Sequence, residues 1–243
     1  MARNESNTDF TKTVAVIPAA GSGVRMGSDR AKQFLDLDGR PLLAMTLKPF
    51  QLCRKVDAII LVVPSGDVDS CVEGIVEPFG LDKVLKVVPG GKRRQDSVRL
   101  GVEAAKGDYG LVLIHDGARP MITEGLIEKV IDAAMTHRAV ITGLPARETV
   151  KEIDHTSQVI KTYDRKIVWL VQTPQAFRYE DILLAHRTAV NEGWEEATDD
   201  AFLVERLGIP VHVIDGSENN IKITTPHDLE MAKFLIGSKA RSS

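Results

Sequence analysis

Short, continuous apolar runs recur along the chain: Val14–Pro18, Ala58–Val63, Val84–Val88, Leu111–His115, Ala139–Leu144 and Val211–Ile214. Unbroken apolar runs, as opposed to alternating ones, predict strands buried on both faces. Helical spacing separates them. Pro41 to Leu52 gathers Leu42, Leu43, Met45 and Leu47, and Asp96 to Lys106 repeats Val98, Val102 and Ala105. Thr123 to Thr136 carries Leu126, Ile127, Val130 and Ile131 behind an acidic Glu124. A last helix starts at Thr225 as cap, with Pro226 in its first position and Asp228 at its positive end. Strands alternating with helices predict βαβ units, hence an α/β fold with a mainly parallel sheet flanked by helices on both faces.

The stretch 145–172 departs from that rhythm. It mixes charge with short β-type segments: Thr149–Ile153, Val159–Thr162 and Ile167–Val171, with a turn at Asp154-His155-Thr156-Ser157 between the first two. This predicts a protruding arm of antiparallel strands, either a plain surface hairpin or an arm that packs on a second copy. With no internal repeat and no linker rich in Pro and Ser, one domain over residues 1–243 is expected, with tails at 1–12 and 238–243.

Composition excludes some functions. The net charge of -3 gives no basic footprint for nucleic acid, and no apolar run approaches the roughly 18 residues of a membrane span. The polar N-terminus lacks the basic end and apolar centre of a secretory signal. The two cysteines, Cys53 and Cys71, form no C-x-x-C, and the six histidines show no metal-ligand spacing. Reduced thiols in the cytoplasm are expected.

Candidate chemistry gathers where strands end. Pro18-Ala19-Ala20-Gly21-Ser22-Gly23 follows the first strand, with Arg25 and Lys32 just beyond. Small residues let backbone N–H groups approach a phosphate-bearing ligand, to which the two cations are suited. The loop is no P-loop, which needs G-x-x-x-x-G-K-[ST]; and Met26 occupies the last glycine position of the dinucleotide fingerprint. A second loop, Gly90-Gly91-Lys92-Arg93-Arg94-Gln95-Asp96-Ser97, opens a helix whose N-terminus favours anions. Arg94 and Ser97 lie one turn apart there, and Ser97 can reach a base or ribose. His115-Asp116-Gly117-Ala118-Arg119-Pro120 ends the fourth strand, where open α/β sheets bind ligands. Asp116 can face a ribose or Mg²⁺, and Arg119 can pair with Asp116 or with a phosphate. His115 reads as a packed core residue. Arg165 and Thr173 flank the Trp169 segment, Thr198 reads as a helix cap, and Lys222 sits near the end of a late strand, Asn219–Thr224.

Together these strings make the chain similar to the 2-C-methyl-D-erythritol 4-phosphate cytidylyltransferases of the non-mevalonate isoprenoid pathway. The resemblance runs from about Val14 to Phe234 and rests on PAAGSGVRMG, Lys32-Gln33-Phe34, GGKRRQDSV, HDGARP, Thr149 in ARETVK, Thr162–Arg165, Thr173-Pro174-Gln175, Thr198-Asp199-Asp200 and Asn220-Ile221-Lys222. It implies a Rossmann-like nucleotidyltransferase fold and a homodimer joined through the arm. By position it implies that Pro18, Ala19, Ala20, Gly21, Gly91 and Ser97 hold the cytidine of CTP, an assignment extended to Gly23, Arg94, Asp116 and Gly117. Arg25, Lys32 and Lys222 would act on the triphosphate and the reacting phosphates. Asp116, Arg119, Thr149, Thr173, Thr198 and Lys222 would hold the polyol phosphate, and Arg165 would come from the other subunit. Mg²⁺ would be held mainly by the CTP phosphates. Gly117 stands where many relatives carry alanine. Lys92 and Arg93 stand where several carry acids, so no role passes to those two. A ribitol 5-phosphate cytidylyltransferase, a non-catalytic nucleotide-binding regulator and a sugar-nucleotide pyrophosphorylase are the alternative readings.

Overall fold

The computed structural model describes residues 12–21, 34–106, 109–194 and 197–241. Its centre is a seven-stranded sheet of order β3-β2-β1-β4-β8-β5-β9. The strands are β1 (Thr13–Pro18), β2 (Ala58–Val63), β3 (Val84–Pro89), β4 (Leu111–Ile114), β5 (Ala139–Pro145), β8 (Trp169–Arg178) and β9 (Val211–Asp215). All run parallel except β8, which is antiparallel to both neighbours, β4 and β5.

Helices cover both faces. On one lie α1 (Leu42–Leu52) and α4 (Glu124–Thr136); on the other lie α3 (Arg94–Ala105), α5 (Tyr179–Asn191) and α6 (Asp200–Arg206). The two-residue period of the strands divides the core between them. Ala15, Ile17, Ile59, Leu61 and Val63 face the first layer, whereas Val14, Val16, Ala58, Ile60 and Val62 face the second. Both faces being buried, the central strands are apolar at every position. Gly101 brings α3 close to the sheet: a Cβ there would stand 2.5 Å from Val16 and 2.9 Å from Val62.

Several elements differ from expectation. Strand β3 is at the sheet edge and only partly covered, because a strand with one neighbour has less to bury it. The segment after β2 carries short helical turns, including α2 (Val68–Cys71), where no element was expected. Helix α5 has no clear period in the sequence: its buried Ile182, Ala185 and Ala189 are flanked by charge, and its entry follows directly on a strand. Asn219–Thr224 is an irregular loop that leaves a turn, and not a strand. At the C-terminus α7 (Pro226–Arg241) runs through 238–241, so those positions continue the helix instead of forming a tail. Its cap is as expected, with Thr225 Oγ1 accepting the Asp228 amide at 3.3 Å and Asp228 accepting the Thr225 amide at 2.8 Å.

The largest departure concerns 145–172. The Trp169 segment is the start of β8, which passes through the middle of the main sheet and pairs Leu170 with Leu144 and Trp169 with Pro145. Only β6 (Lys151–Ile153) and β7 (Val159–Thr162) form the separate hairpin, and all their residues are exposed. The hairpin turn is tied by Asp154 Oδ1, which accepts from the amides of Thr156 and Gln158 at 2.8 and 2.9 Å. The arm therefore sits at the tip of the β5–β8 pair, at the end of the sheet where the parallel strands finish.

Candidate active site

Strand order reverses between β1 and β4, and an open sheet has its ligand crevice at such a switch point, beyond the carboxyl ends of the strands. The loops that follow β1, β3 and β4 meet there. The Ala19 amide bonds the Val62 carbonyl at 2.7 Å, and the Gly117 amide bonds the Pro18 carbonyl at 3.1 Å. These contacts hold Pro18, Ala19, Ala20 and Gly21 beside Gly117. Gly90 completes the wall, since a Cβ on it would lie 2.3 Å from Ala20 Cβ and 2.8 Å from Ser97 Oγ. Ser97 is buried and ties the second loop, its hydroxyl accepting from the Gly91 amide at 3.1 Å and donating to the Arg93 carbonyl at 3.2 Å. Arg93 turns back onto Asp96, through Nε at 3.0 Å and Nη2 at 2.9 Å. Gly23, Arg25 and Lys32 lie outside the described residues.

Next to this wall is a charged cavity of about 400 Å³, lined in part by Arg94, Asp116, Arg119, Thr173, Thr198 and Lys222. Asp116, nearly buried, is its centre. Lys222 Nζ stands 2.7 Å from Asp116, Arg94 Nε 2.9 Å and Arg119 Nε 3.7 Å. Burial pushes the Asp116 carboxyl up, but the charges of Arg94, Lys222 and Arg119 outweigh it, so it stays well below the usual carboxylate range. Asp116 thus faces three cations, of which Arg94 also pairs with Asp200, while Asp199 and Glu205 line the same cavity; Lys222 and Arg119 are the cations suited to phosphate.

The third side of the cavity belongs to β8. Because this strand is antiparallel, its early residues pass the end of β4, so Thr173 lies alongside Asp116. The Thr173 hydroxyl accepts the Asp116 amide at 3.0 Å. The 217–223 loop is stitched to the same strand: Asn220 Nδ2 donates to the Thr173 carbonyl at 2.7 Å, and Gln172 Nε2 donates to the Ser217 carbonyl at 2.9 Å. Arg119 donates to the Asn220 carbonyl at 2.7 Å, and the Ile223 amide donates to the Ala118 carbonyl at 2.8 Å. These bonds deliver Lys222 to Asp116 although neither residue's surrounding sequence mentions the other.

His115 is a core residue, as expected. It is fully buried, its ring centroid is 5.2 Å from that of Phe50, and burial lowers its pKa to about 4. Thr198 lines the cavity but is not the helix cap; Asp199 takes that place, accepting the Phe202 amide at 3.0 Å. Thr149 and Arg165 are exposed on the arm, outside the cavity lining of this chain. Arg165 Nη1 donates to the Arg147 carbonyl at 3.0 Å.

Some members of the site were given no role of their own by the sequence. Gln175, fully buried, holds the start of α6 through Asp199 Oδ2 at 2.7 Å and the Ala201 amide at 3.3 Å. Ile141, Val171 and Phe202 give the cavity an apolar side. Asp200 and His186 lie behind Arg94. Of these, only Asp200 stands in one of the strings that carry the resemblance, Thr198-Asp199-Asp200, and no role was attached to it.

A glycine-lined wall beside a pocket of paired charges at the switch point of an α/β sheet defines a nucleotide-dependent group-transfer enzyme. The comparisons narrow that class. The family model for IspD, 2-C-methyl-D-erythritol 4-phosphate cytidylyltransferase, matches residues 13–238, and the chain belongs to that family. It is 47% identical over 225 residues to the 2-C-methyl-D-erythritol 4-phosphate cytidylyltransferase of Syntrophus aciditrophicus, covering 93% of this chain and 96% of that one. It is 45% identical over 230 residues to the enzyme of the same name from Pelotomaculum thermopropionicum, covering 95% of each. Among solved structures, the 4-diphosphocytidyl-2C-methyl-D-erythritol synthase of Anaerococcus prevotii superposes with TM-score 0.83 at 34% identity, over 94% of this chain and 100% of that one. The Francisella tularensis 2-C-methyl-D-erythritol 4-phosphate cytidylyltransferase superposes with TM-score 0.78 at 30% identity, over 92% and 99%.

Proposed function

We propose that this protein transfers the cytidylyl group of CTP to the phosphate of 2-C-methyl-D-erythritol 4-phosphate, giving 4-diphosphocytidyl-2-C-methyl-D-erythritol and pyrophosphate. The observation that carries this reading is the Asp116 carboxylate within reach of Lys222, Arg94 and Arg119 beside the glycine-lined wall. A phosphate monoester has a second pKa of about 6, so the acceptor oxygen is already anionic near neutrality and attacks the α-phosphorus without a general base. The site matches that economy, since the buried ring of His115 has both nitrogens facing internal partners. What catalysis requires is positive charge where two anions meet.

Lys222 and Arg119 take the acceptor phosphate and the developing charge, assisted by Arg25 and Lys32. Asp116, Thr173 and Thr198 frame the polyol. Pro18, Ala19, Ala20, Gly21, Gly23, Gly91, Ser97 and Gly117 hold the cytidine, largely through backbone groups. Among the described residues no group of three or more His, Cys, Asp or Glu side chains could hold a metal ion. A magnesium ion carried on the triphosphate would need only one or two protein carboxylates, and Asp116 stands at the cavity to join it. Bound so, the metal neutralises phosphate charge.

The chain works as a homodimer. The arm and its root expose Ile153, Val159, Ile160, Ile167 and Leu170, which are 57, 56, 61, 77 and 58% exposed, an apolar strip that a second copy would cover. In that arrangement Thr149 and Arg165 would serve the partner's cavity. Both thiols are free and buried, in keeping with a reducing cytoplasm. Among the described residues no helix is long and apolar enough to cross a membrane. The test is pyrophosphate release from CTP and Mg²⁺, measured in parallel with methylerythritol 4-phosphate and ribitol 5-phosphate. Turnover with the first and little with the second is expected; the reverse preference would overturn the reading.

A further inference from the structure

Arg94 does not stand free for a ligand. It is the first residue of α3, and its guanidinium is held at both ends. Nε donates to Asp116 Oδ1 at 2.9 Å, and Nη1 donates to Asp200 Oδ2 at 2.7 Å. Asp200 opens α6 and is 1% exposed, so it cannot answer to solvent. Behind it His186 of α5, fully buried, turns Nε2 to Asp200 Oδ1 at 3.3 Å, off the line of a good hydrogen bond. Nδ1 of that ring has no hydrogen-bond partner among the described residues. A buried polar ring whose two nitrogens make no hydrogen bond among the described residues, with the Asp200 carboxylate as its polar neighbour, is costly to keep without a task.

The three cations around Asp116 thus differ in kind. Arg94 is shared between two carboxylates. Lys222 has a side chain 40% exposed, and Asp116 is its partner. Arg119 shares a weaker contact with Asp116 and is steered by a neutral carbonyl. When a phosphate enters, Lys222 and Arg119 can turn towards it, whereas Arg94 remains clamped. A guanidinium fork fixed at two points defines both the position and the plane of its contacts, which a lone ammonium cannot do.

Resting on the functional reading above, we infer that Asp200, with His186 packed behind it, is a positioning residue that clamps Arg94 onto Asp116, so that this carboxylate keeps a fixed partner and its aim while Lys222 and Arg119 engage phosphate. Burial pushes the Asp200 carboxyl up, yet Arg94 and His186 outweigh it and hold it below its usual range, so the clamp is a charged one at neutral pH. The alternative is that Asp200 only ties α6 and α5 to α3 and serves the fold.

A double-mutant cycle with Asp200→Asn and Arg94→Gln separates the two, read as turnover of CTP with methylerythritol phosphate at a temperature where all four proteins are folded. Asp200→Asn is expected to lower kcat about 10–100-fold with Arg94 present, the scale of a misaimed catalytic group, and to have little effect once Arg94 is Gln. Coupling of at least about fivefold supports the clamp; a smaller coupling, or no loss in either background, overturns it. Nitrogen-15 NMR of the Arg94 side chain supplies a readout independent of activity. Hindered rotation of its guanidinium in the unmodified protein, lost in Asp200→Asn, is expected, and an unchanged signal overturns the clamp. If Asp200→Asn does not fold, His186→Gln replaces it in both measurements with the same criteria. Should the unmodified protein release no pyrophosphate from these substrates, the functional reading falls, and the NMR comparison still decides whether Asp200 holds Arg94.

Discussion

Thr173 and His115 are joined side chain to side chain at the floor of the site, Oγ1 to Nδ1 at 3.1 Å. His115 Nε2 faces the Arg119 carbonyl at 3.1 Å, which can only accept, so that nitrogen carries the proton and Nδ1 receives the one on Thr173. The Thr173 oxygen in turn accepts the Asp116 amide at 3.0 Å. One hydroxyl therefore sets the backbone of the central carboxylate. Thr173→Val keeps the shape and removes both bonds; unfolding in urea should show a loss of about 1–3 kcal/mol, with turnover reduced, and Thr173→Ser should restore most of each. Full stability in the valine variant would remove this role.

The same ring predicts an acid sensitivity. The folded His115 has a pKa of about 4 against 6.5 unfolded, because burial disfavours its charged form. Between those values the unfolded chain binds more protons, so stability falls as pH drops through that window, by roughly 2 kcal/mol from about pH 7 to about pH 5. Asp116 and Asp200 act in the same direction at lower pH: both are depressed from 3.8, so their contribution is present above that value and is lost as pH falls below it. Urea unfolding of His115→Asn should show a flatter dependence above pH 4 than the unmodified protein. Equal slopes would mean that another group titrates.

Lys222 is the exposed cation of the cluster, and its removal should separate chemistry from stability. Lys222→Met is expected to reduce turnover about 10²–10³-fold, as for one preorganised transition-state contact. Unfolding free energy should change far less than the barrier, since Lys222 is partly exposed and the buried Asp116 keeps Arg94 and Arg119 as partners. Near-normal turnover in this variant would contradict the assignment.

At Gly90 the constraint is space. A methyl group there meets Ala20 Cβ at 2.3 Å and the Ser97 hydroxyl at 2.8 Å, both belonging to the glycine-lined wall. Gly90→Ala should cost about 1–3 kcal/mol and weaken CTP binding measured by calorimetry. Unaltered affinity would show that the wall shifts without consequence for the nucleotide.

The arm offers a test of assembly. Ile160 and Ile167 are 61% and 77% exposed, so replacing both by lysine removes little packing within one chain. Sedimentation should then show a shift towards monomer with the thermal transition of the isolated chain preserved. A dimer as tight as before would place the interface elsewhere.

How far the sequence reached depends on the range of the interactions concerned. Val14–Pro18 and Ala58–Val63 match β1 and β2 because burial on both faces writes itself into every position of a strand. The cap at Thr225 and the turn at Asp154 were equally readable, since their bonds close within four residues. Helix α5 was not, because its apolar stripe is narrow, and Trp169–Val171 was assigned to the arm because nothing local distinguishes a hairpin strand from the start of a sheet strand.

The sequence by itself determined the α/β alternation, the glycine-lined ends of the strands and the presence of Asp116, Arg119, Thr173 and Lys222, all consequences of local periodicity and residue type. The tertiary structure alone decided which charges meet. Arg94 is 106 residues from Asp200, and Asn220 is 47 from Thr173. Only the antiparallel passage of β8 between β4 and β5 brings those positions to one cavity. Pairing between distant charges leaves no period in the chain, because its energy depends on distance and burial in space and not on spacing along the sequence.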